Sequence, residues 1–258
     1  MHIPRKKELQ QLFGPGTTNI GHRGTRGLAP ENTLISFQKA YEFTKFFELD
    51  TMNCGTGELV VIHDDSVNRT TNGLGLVSEL PLSQIQSLDA GSFFNKEFAG
   101  IKIPTLKEVL TELPKDAIFD IEVKSQGNEK HRSKLAKALV SLVHSLSIQN
   151  RIFISSFDEY LLEKVKLEDP DLLRGQLLDV SWDEKEWKFS EPDLILPNHE
   201  SVSKTFMNHM RDKDYMVLPY TVNKREDWKR LISLGVKGII TDRPDQFGEY
   251  LLEVSKGN

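Results

Sequence analysis

The chain has 258 residues, 38% of them hydrophobic and 28% charged, with a formal net charge of -5. That length suits one large domain or two small ones, with a sizeable core, and the mildly acidic balance argues against a nucleic-acid footprint, which needs Lys and Arg clustered on one face. A single cysteine, Cys54, excludes an internal disulfide. No apolar run approaches the ~18 residues of a membrane span, and the basic amino terminus has no apolar stretch behind it, so a cytoplasmic chain is expected.

Along the chain, short β-branched or apolar runs alternate with amphipathic helical stretches. Strands are predicted at Thr18 to Gly21, Phe46 to Thr51, Ala117 to Val123, Arg151 to Ser155, Arg174 to Leu178, Asp193 to Pro197, Met216 to Thr221 and Gly238 to Thr241. Helical patterns between them include "ENTLISFQKAYEF", "KHRSKLAKALVSLVHSL", "DEYLLEKVKLE" and "KREDWKRLISLG". The last of these ends in a glycine suited to a helix C-terminus, and a final helix opens with Pro244. "PTLKEVL" starts a further helix, with Thr105 as N-cap and Glu108 as its capping-box partner.

Strand and helix alternating eight times predict an α/β fold, a TIM (β/α)8 barrel, in preference to a doubly wound open sheet. Active sites of such barrels gather at the carboxyl ends of the strands. The turn-rich residues 64–103 break the rhythm. They are expected to form a small subdomain over the C-terminal mouth, inserted in a single domain covering 1–258, with Phe93, Phe94 and Phe98 either as its core or in part as contacts for a ligand. Trp182 and Trp187 are spaced as on one helix, for packing.

The strand ends carry the chemistry. In "FFELDTM" the pleat puts Glu48 and Asp50 on one face, and in "FDIEVKS" it does the same for Glu122 and Lys124. "NCGTGELVVIHDD" has the look of a hairpin; a loop of Gly55 and Thr56 would set His63 opposite Glu48. His22 and Arg23 stand at the end of the first strand, so seven side chains are expected to converge on one rim. Carboxylates sharing a cleft must be neutralised by protonation or by a cation. Oxygen ligands without thiolate suit a hard ion, Mg2+ or Ca2+. Two histidines and two cations beside it would supply acid, base and a phosphate clamp, the equipment for phosphoryl-ester chemistry.

The motifs "GHRG", "PENT", "ELD", "VVIHDDSVNRTTNG" and "FDIEVKS", then "TVN" and "GVKGIITDRPD", closely resemble those of glycerophosphodiester phosphodiesterases from about Ile20 to Asp245. The resemblance implies a TIM barrel with a small insertion and metal-dependent hydrolysis of glycerophosphodiesters to sn-glycerol 3-phosphate and an alcohol. It matches His22 and His63 to the catalytic pair, Glu48, Asp50 and Glu122 to the metal ligands, and Arg23 and Lys124 to residues that hold phosphate. Two departures stand out: Gly55-Thr56-Gly57 where Lys-Asp-Gly is frequent, and Tyr220 where a tryptophan often precedes "TVN". Tyr220 keeps an aromatic face for the glycerol or the alcohol.

Other residues receive plainer readings. His131, His144, His199 and His209 are taken as surface groups. Asn32 or Thr33 would cap a helix, Glu31 either belongs to that helix start or steadies the metal shell, and Asp242 caps or pairs rather than catalyses. Two rival functions fit the same equipment. A sphingomyelinase D-like phospholipase forming a cyclic phosphate usually works outside the cell with disulfides, which a lone Cys54 argues against. A catalytically silent phosphate-ester-binding barrel would have lost a histidine or a ligand, and none is lost.

Overall fold

A computed structural model of the chain describes residues 6–125, 127–179 and 191–256; Trp182 and Trp187 lie outside the described residues. Eight parallel strands form the sheet: β1 (Thr18–Gly21), β2 (Phe46–Asn53), β4 (Ile118–Val123), β5 (Ile152–Ser156), β6 (Arg174–Leu178), β7 (Leu194–Pro197), β8 (Met216–Val217) and β9 (Gly238–Thr241). A short β3 (Leu59–Val61) returns antiparallel along β2. The ladder runs β8-β7-β6-β5-β4-β2-β1-β9, and the helices α2 (Leu34–Ala40), α4 (Leu106–Glu112), α5 (Glu129–Leu146), α6 (Glu159–Glu168), α7 (Lys204–Asp212), α8 (Arg225–Leu234) and α9 (Pro244–Lys256) connect it into a TIM barrel.

The seventh stave, β8, is shorter than its apolar run. The sequence pattern extends to Thr221, but the regular strand ends at Val217; beyond it the Leu218 and Tyr220 N–H groups still bond to Ile195 O and Pro197 O of β7, while Pro219 has no N–H to give toward β9. Three backbone bonds stitch the seam instead: Lys237 N–H to Val217 O at 2.9 Å, Ile240 N–H to Pro219 O at 3.0 Å and Val222 N–H to Ile240 O at 2.9 Å.

Pleating sorts the side chains into two layers. Phe47, Leu49, Phe119, Ile121 and Ile154 face outward into an apolar layer shared with helices α4, α5 and α6. Ile20, Phe46, Phe153, Leu194, Leu196 and Ile240 face inward and pack with Leu9, Leu12 and Phe13 of a further helix, α1 (Lys6–Phe13). The Phe13 and Phe46 rings stack at 5.0 Å. The amino-terminal ends of the staves are therefore closed by an apolar plug. The carboxylates lie further along the same inward faces, toward the strands' carboxyl ends.

Helix ends follow their local chemistry. Thr33, not Asn32, caps α2 by accepting from the Ser36 N–H. Thr105 and Glu108 form the expected capping box on α4, and Gly235 closes α8 at φ 83°. No helix among the described residues is long and apolar enough to cross a membrane.

Residues 64–103 contain helix α3 (Leu82–Ser87) and a 3-10 turn at Lys96–Phe98. Their core is aliphatic rather than aromatic: Val67, Val77, Ile85, Ala90 and Ile103 pack with Met52, Val60 and Ile62 of the hairpin. Phe93 and Phe94 remain 39% and 38% exposed, and only Phe98 is buried. Small aliphatic side chains fill so short a segment without leaving bulk to bury.

The loop after β1 depends on a close approach. Gly24 sits at φ 85°, and a Cβ there would lie 2.5 Å from Ser36 Oγ and 2.7 Å from the Ser36 carbonyl carbon. Gly24→Ala is therefore expected to cost about 1–3 kcal/mol through overpacking and left-handed strain. A melting temperature equal to that of the parent chain would contradict this account of the loop.

Candidate active site

Parallel register assembles the acidic cluster. Asp50 of β2 pairs with Glu122 of β4, and Glu48 with Asp120, so the inward faces of two adjacent staves each carry two carboxyls. Glu48, Asp50 and Glu122 can each place a carboxylate oxygen within 4.8 Å of the others, and all three are buried.

Their compensation is uneven. Asp50 is ringed by Arg23 Nε at 3.0 Å, Lys124 Nζ at 2.9 Å and the Asn32 side-chain amide at 2.8 Å. Burial would raise its carboxyl, but Lys124 and Arg23 outweigh that and hold it well below the usual range. Glu48 receives only the Arg23 backbone N–H, at 2.9 Å, and its Oε1 is buried without a hydrogen-bond partner. Burial, then the charges of Asp50 and Glu122, push it well up. Glu122 pairs with Lys124, yet burial and the nearby Asp50 still lift it to about 7. Asp120, held by the Ser155 hydroxyl at 2.6 Å, is also driven up, mainly by burial. An unpartnered carboxylate oxygen inside an all-oxygen donor set fits a hard divalent cation.

His22 and Arg23 leave β1 together. The His22 N–H still bonds to Thr241 O at 2.9 Å, and Arg23 then enters the left-handed region at φ 51°. That turn brings the guanidinium of Arg23 back over the cluster, where it reaches Glu31 at 2.7 Å as well as Asp50. The His22 ring lies with Nδ1 2.6 Å from Asp242 Oδ1 and Nε2 3.8 Å from Glu48 Oε2. Burial and the charge of Arg23 lower its pKa against the pull of Asp242.

His63 reaches the rim by a different register from the expected one. β3 pairs Thr51 with Val61 and Met52 with Val60, which moves His63 one residue off Glu48. The cause is the turn: Gly55, Thr56 and Gly57 form a three-residue loop, closed by the Cys54 N–H to Glu58 O bond at 2.9 Å, with Gly57 at φ 100°. β3 ends at Val61, so the pleat no longer dictates where the half-buried His63 points. Its Nδ1 is 2.7 Å from Asp64 Oδ1, and its pKa is lowered by burial, with Asp50 pulling it up and Arg23 and Lys124 pushing it down.

Tyr220 lies on the opposite wall. Its hydroxyl donates to Leu178 O at 2.9 Å, and its ring meets Phe157 edge to face at 6.1 Å. With His22, Glu48 and Glu122 it lines a small cavity of about 20 Å³. A second, more open hollow beside Glu122 and Lys124 is bordered by Ser125, Ser156 and Phe157. His22, Glu48, Glu122 and Tyr220 thus line one cavity and Lys124 the adjoining hollow, while Arg23 pairs with Asp50 and His63 lies within reach of its charge.

Arg69 and Asp120 are not singled out from the sequence, while Glu31, Asn32 and Asp242 are read there only as helix-start, shell or pairing residues. Arg69 forks onto Glu31 at 2.8 and 3.0 Å and onto Asp64 at 2.6 and 3.0 Å. Glu31 accepts from Arg23, Arg26 and Arg69, so it anchors a cationic cluster. Asp242 pairs with His22, and Asn32 with Asp50. Asp120 had a readable signal: it shares its pleat face with Glu122 two residues on. Of the histidines taken as surface groups, His144 is exposed and bonded to Asp169, while His131, His199 and His209 are half-buried.

The sequence model of the "Glycerophosphoryl diester phosphodiesterase family" matches residues 22–246. A glycerophosphodiester phosphodiesterase of Caldanaerobacter subterraneus subsp. tengcongensis is 37% identical over 234 residues, 89% of this chain and 95% of that protein. One from Bacillus subtilis is 34% identical over 253 residues, 88% of this chain and 84% of its own. An Oleispira antarctica phosphodiesterase, solved in complex with the product sn-glycerol-3-phosphate, superposes with a TM-score of 0.85 at 27% identity, covering 92% of this chain and 96% of that one. The Agrobacterium tumefaciens glycerophosphodiester phosphodiesterase gives 0.77 at 27% identity, over 90% and 99%. The chain belongs to the glycerophosphoryl diester phosphodiesterase family.

Glu31 supplies a pH-dependent test of the cationic cluster. Burial would raise its carboxyl, but the hydrogen bonds from Arg69 and the charge of Arg23 bring it to about 2, from an ordinary 4.5. A depressed folded value means the stabilisation is complete above the unfolded pKa and is lost as pH falls through the folded one. Glu31→Gln should lower the urea midpoint near neutral pH, and that deficit should shrink at about pH 3. A deficit of equal size at both would contradict the assignment.

Proposed function

We propose that this chain hydrolyses glycerophosphodiesters, the deacylated phospholipids, to sn-glycerol 3-phosphate and an alcohol. The observation that carries the reading is the buried Glu48, Asp50 and Glu122 cluster with an imidazole on either side, in a chain of this family. Glu48, Asp50 and Glu122 would hold a divalent cation, Mg2+ or Ca2+, which when bound supplies Lewis-acid stabilisation of negative charge on the phosphate. Arg23 and Lys124 add fixed positive charge beside the same phosphate oxygens. One imidazole, unprotonated, takes the proton of the attacking water, or of a glycerol hydroxyl whose cyclic phosphate water then opens, while the other, carrying a proton, gives it to the leaving alkoxide; a lowered pKa suits the first to its role as base near neutral pH.

Tyr220 offers an apolar face to the glycerol or to the alcohol group. Residues 64–103 form, on this reading, an inserted subdomain over the mouth, with Arg69 as its tie to the rim. The reading also keeps the enzyme in the cytoplasm, in accord with its single cysteine.

The test is an assay coupled to glycerol 3-phosphate formation, run with glycerophosphocholine and glycerophosphoethanolamine, with and without chelator. Turnover should need the divalent ion, and His22→Ala and His63→Ala should each lower kcat about 10²–10⁴-fold. Full turnover in either variant would refute the acid/base roles, and no product from any diester would refute the function.

A further inference from the structure

We propose that Asp242 and Asp64 are positioning residues, each fixing one imidazole by its Nδ1 so that both His22 and His63 turn Nε2 to the carboxylate cleft; this rests on the phosphodiesterase reading above. The two contacts have the same form although they come from opposite ends of the chain. Asp242 Oδ1 lies 2.6 Å from His22 Nδ1, and Asp64 Oδ1 lies 2.7 Å from His63 Nδ1.

Each carboxylate is itself held from behind. Asp242 Oδ2 accepts from the Asn223 side-chain amide at 2.7 Å, and Asn223 Oδ1 accepts the Asp242 N–H at 2.9 Å. Asp64 is gripped by Arg69 at 2.6 and 3.0 Å, and Arg69 is anchored in turn on Glu31. Neither oxygen of Asp242 goes to an amide of α9, so the residue does not cap that helix. Both carboxyls lie below their ordinary range. Burial opposes this at Asp242 but the His22 bond prevails, and the Arg69 bond brings Asp64 to about 2.

An ionised carboxylate can only accept, so the ring nitrogen facing it must carry the hydrogen. A neutral imidazole then has its lone pair on Nε2, the nitrogen that for His22 stands 3.8 Å from Glu48. Without the partner, a ring could turn away from this orientation, so that Nε2 is no longer placed to take the nucleophile's proton in the one histidine or, when protonated, to give one to the leaving alkoxide in the other. The two dyads therefore set tautomer and ring direction before any substrate arrives, as a buried carboxylate does for histidine bases elsewhere.

The experiment compares the full chain with Asp242→Asn and Asp64→Asn, reading imidazole nitrogen chemical shifts near neutral pH and kcat and KM on glycerophosphocholine. The parent chain should show Nδ1–H at both rings. Asparagine keeps the shape but can offer an N–H, so the facing ring should move to the Nε2–H form. Its kcat should then fall about 10²–10⁴-fold, with KM changed by less than ~3-fold. Unchanged tautomers in both variants, or a changed tautomer with full turnover, would overturn the proposal. Should Asp242→Asn not fold, the more exposed Asp64→Asn carries the same test. The nitrogen shifts need no turnover, so a parent chain inactive on every diester would sink the functional reading and leave the positioning claim to be judged by NMR.

Discussion

Buried like charges are the constraint on which the rest of this structure depends. Three carboxylates can bring oxygens within 4.8 Å of one another inside a barrel. At an effective dielectric constant of ~20, each such pair repels by roughly 3 kcal/mol, more than a neutral hydrogen bond returns. Arg23 and Lys124 answer the charge of Asp50 first and leave Glu48 with a bare oxygen. The fold tolerates this because the carboxylates occupy one end of the interior only. At the other end α1 and the inward phenylalanines make a conventional apolar core.

That division of the interior follows from strand pleat and parallel register together. Phe46, Glu48 and Asp50 share the inward face of β2, and Ile118, Asp120 and Glu122 share that of β4. The first residue of each set is apolar and stays with the plug; the later ones are acidic and face the mouth. The same loops that follow the strands then bring in the cations, with Arg23 turned inward by its left-handed backbone and Arg69 reaching across from residues 64–103.

Much of this was legible in the sequence because it is local. Alternating β-branched runs located the staves, period two located Glu48, Asp50, Glu122 and Lys124, and a serine/threonine-to-glutamate spacing located the cap of α4. What failed depended on contacts that no short window contains. Helix α1 was not among the predicted elements, because the barrel floor it plugs is built by residues far along the chain. His63 was displaced by one residue because Gly57 lengthened the hairpin turn. Asp242 could be recognised only as a cap or a pair, since its partner His22 lies 220 positions away. Arg69 sat in a turn-rich stretch with nothing beside it to mark Glu31 as its partner.

The central claim is that the buried carboxylates exist to hold a divalent cation. Isothermal titration of the full chain with Mg2+ and with Ca2+, alongside the melting temperature, tests it most directly. The expected result is saturable binding of one ion per chain that raises the melting temperature, with both effects lost in Asp50→Asn. Binding of neither ion to the parent chain, or equal binding by Asp50→Asn, would contradict it.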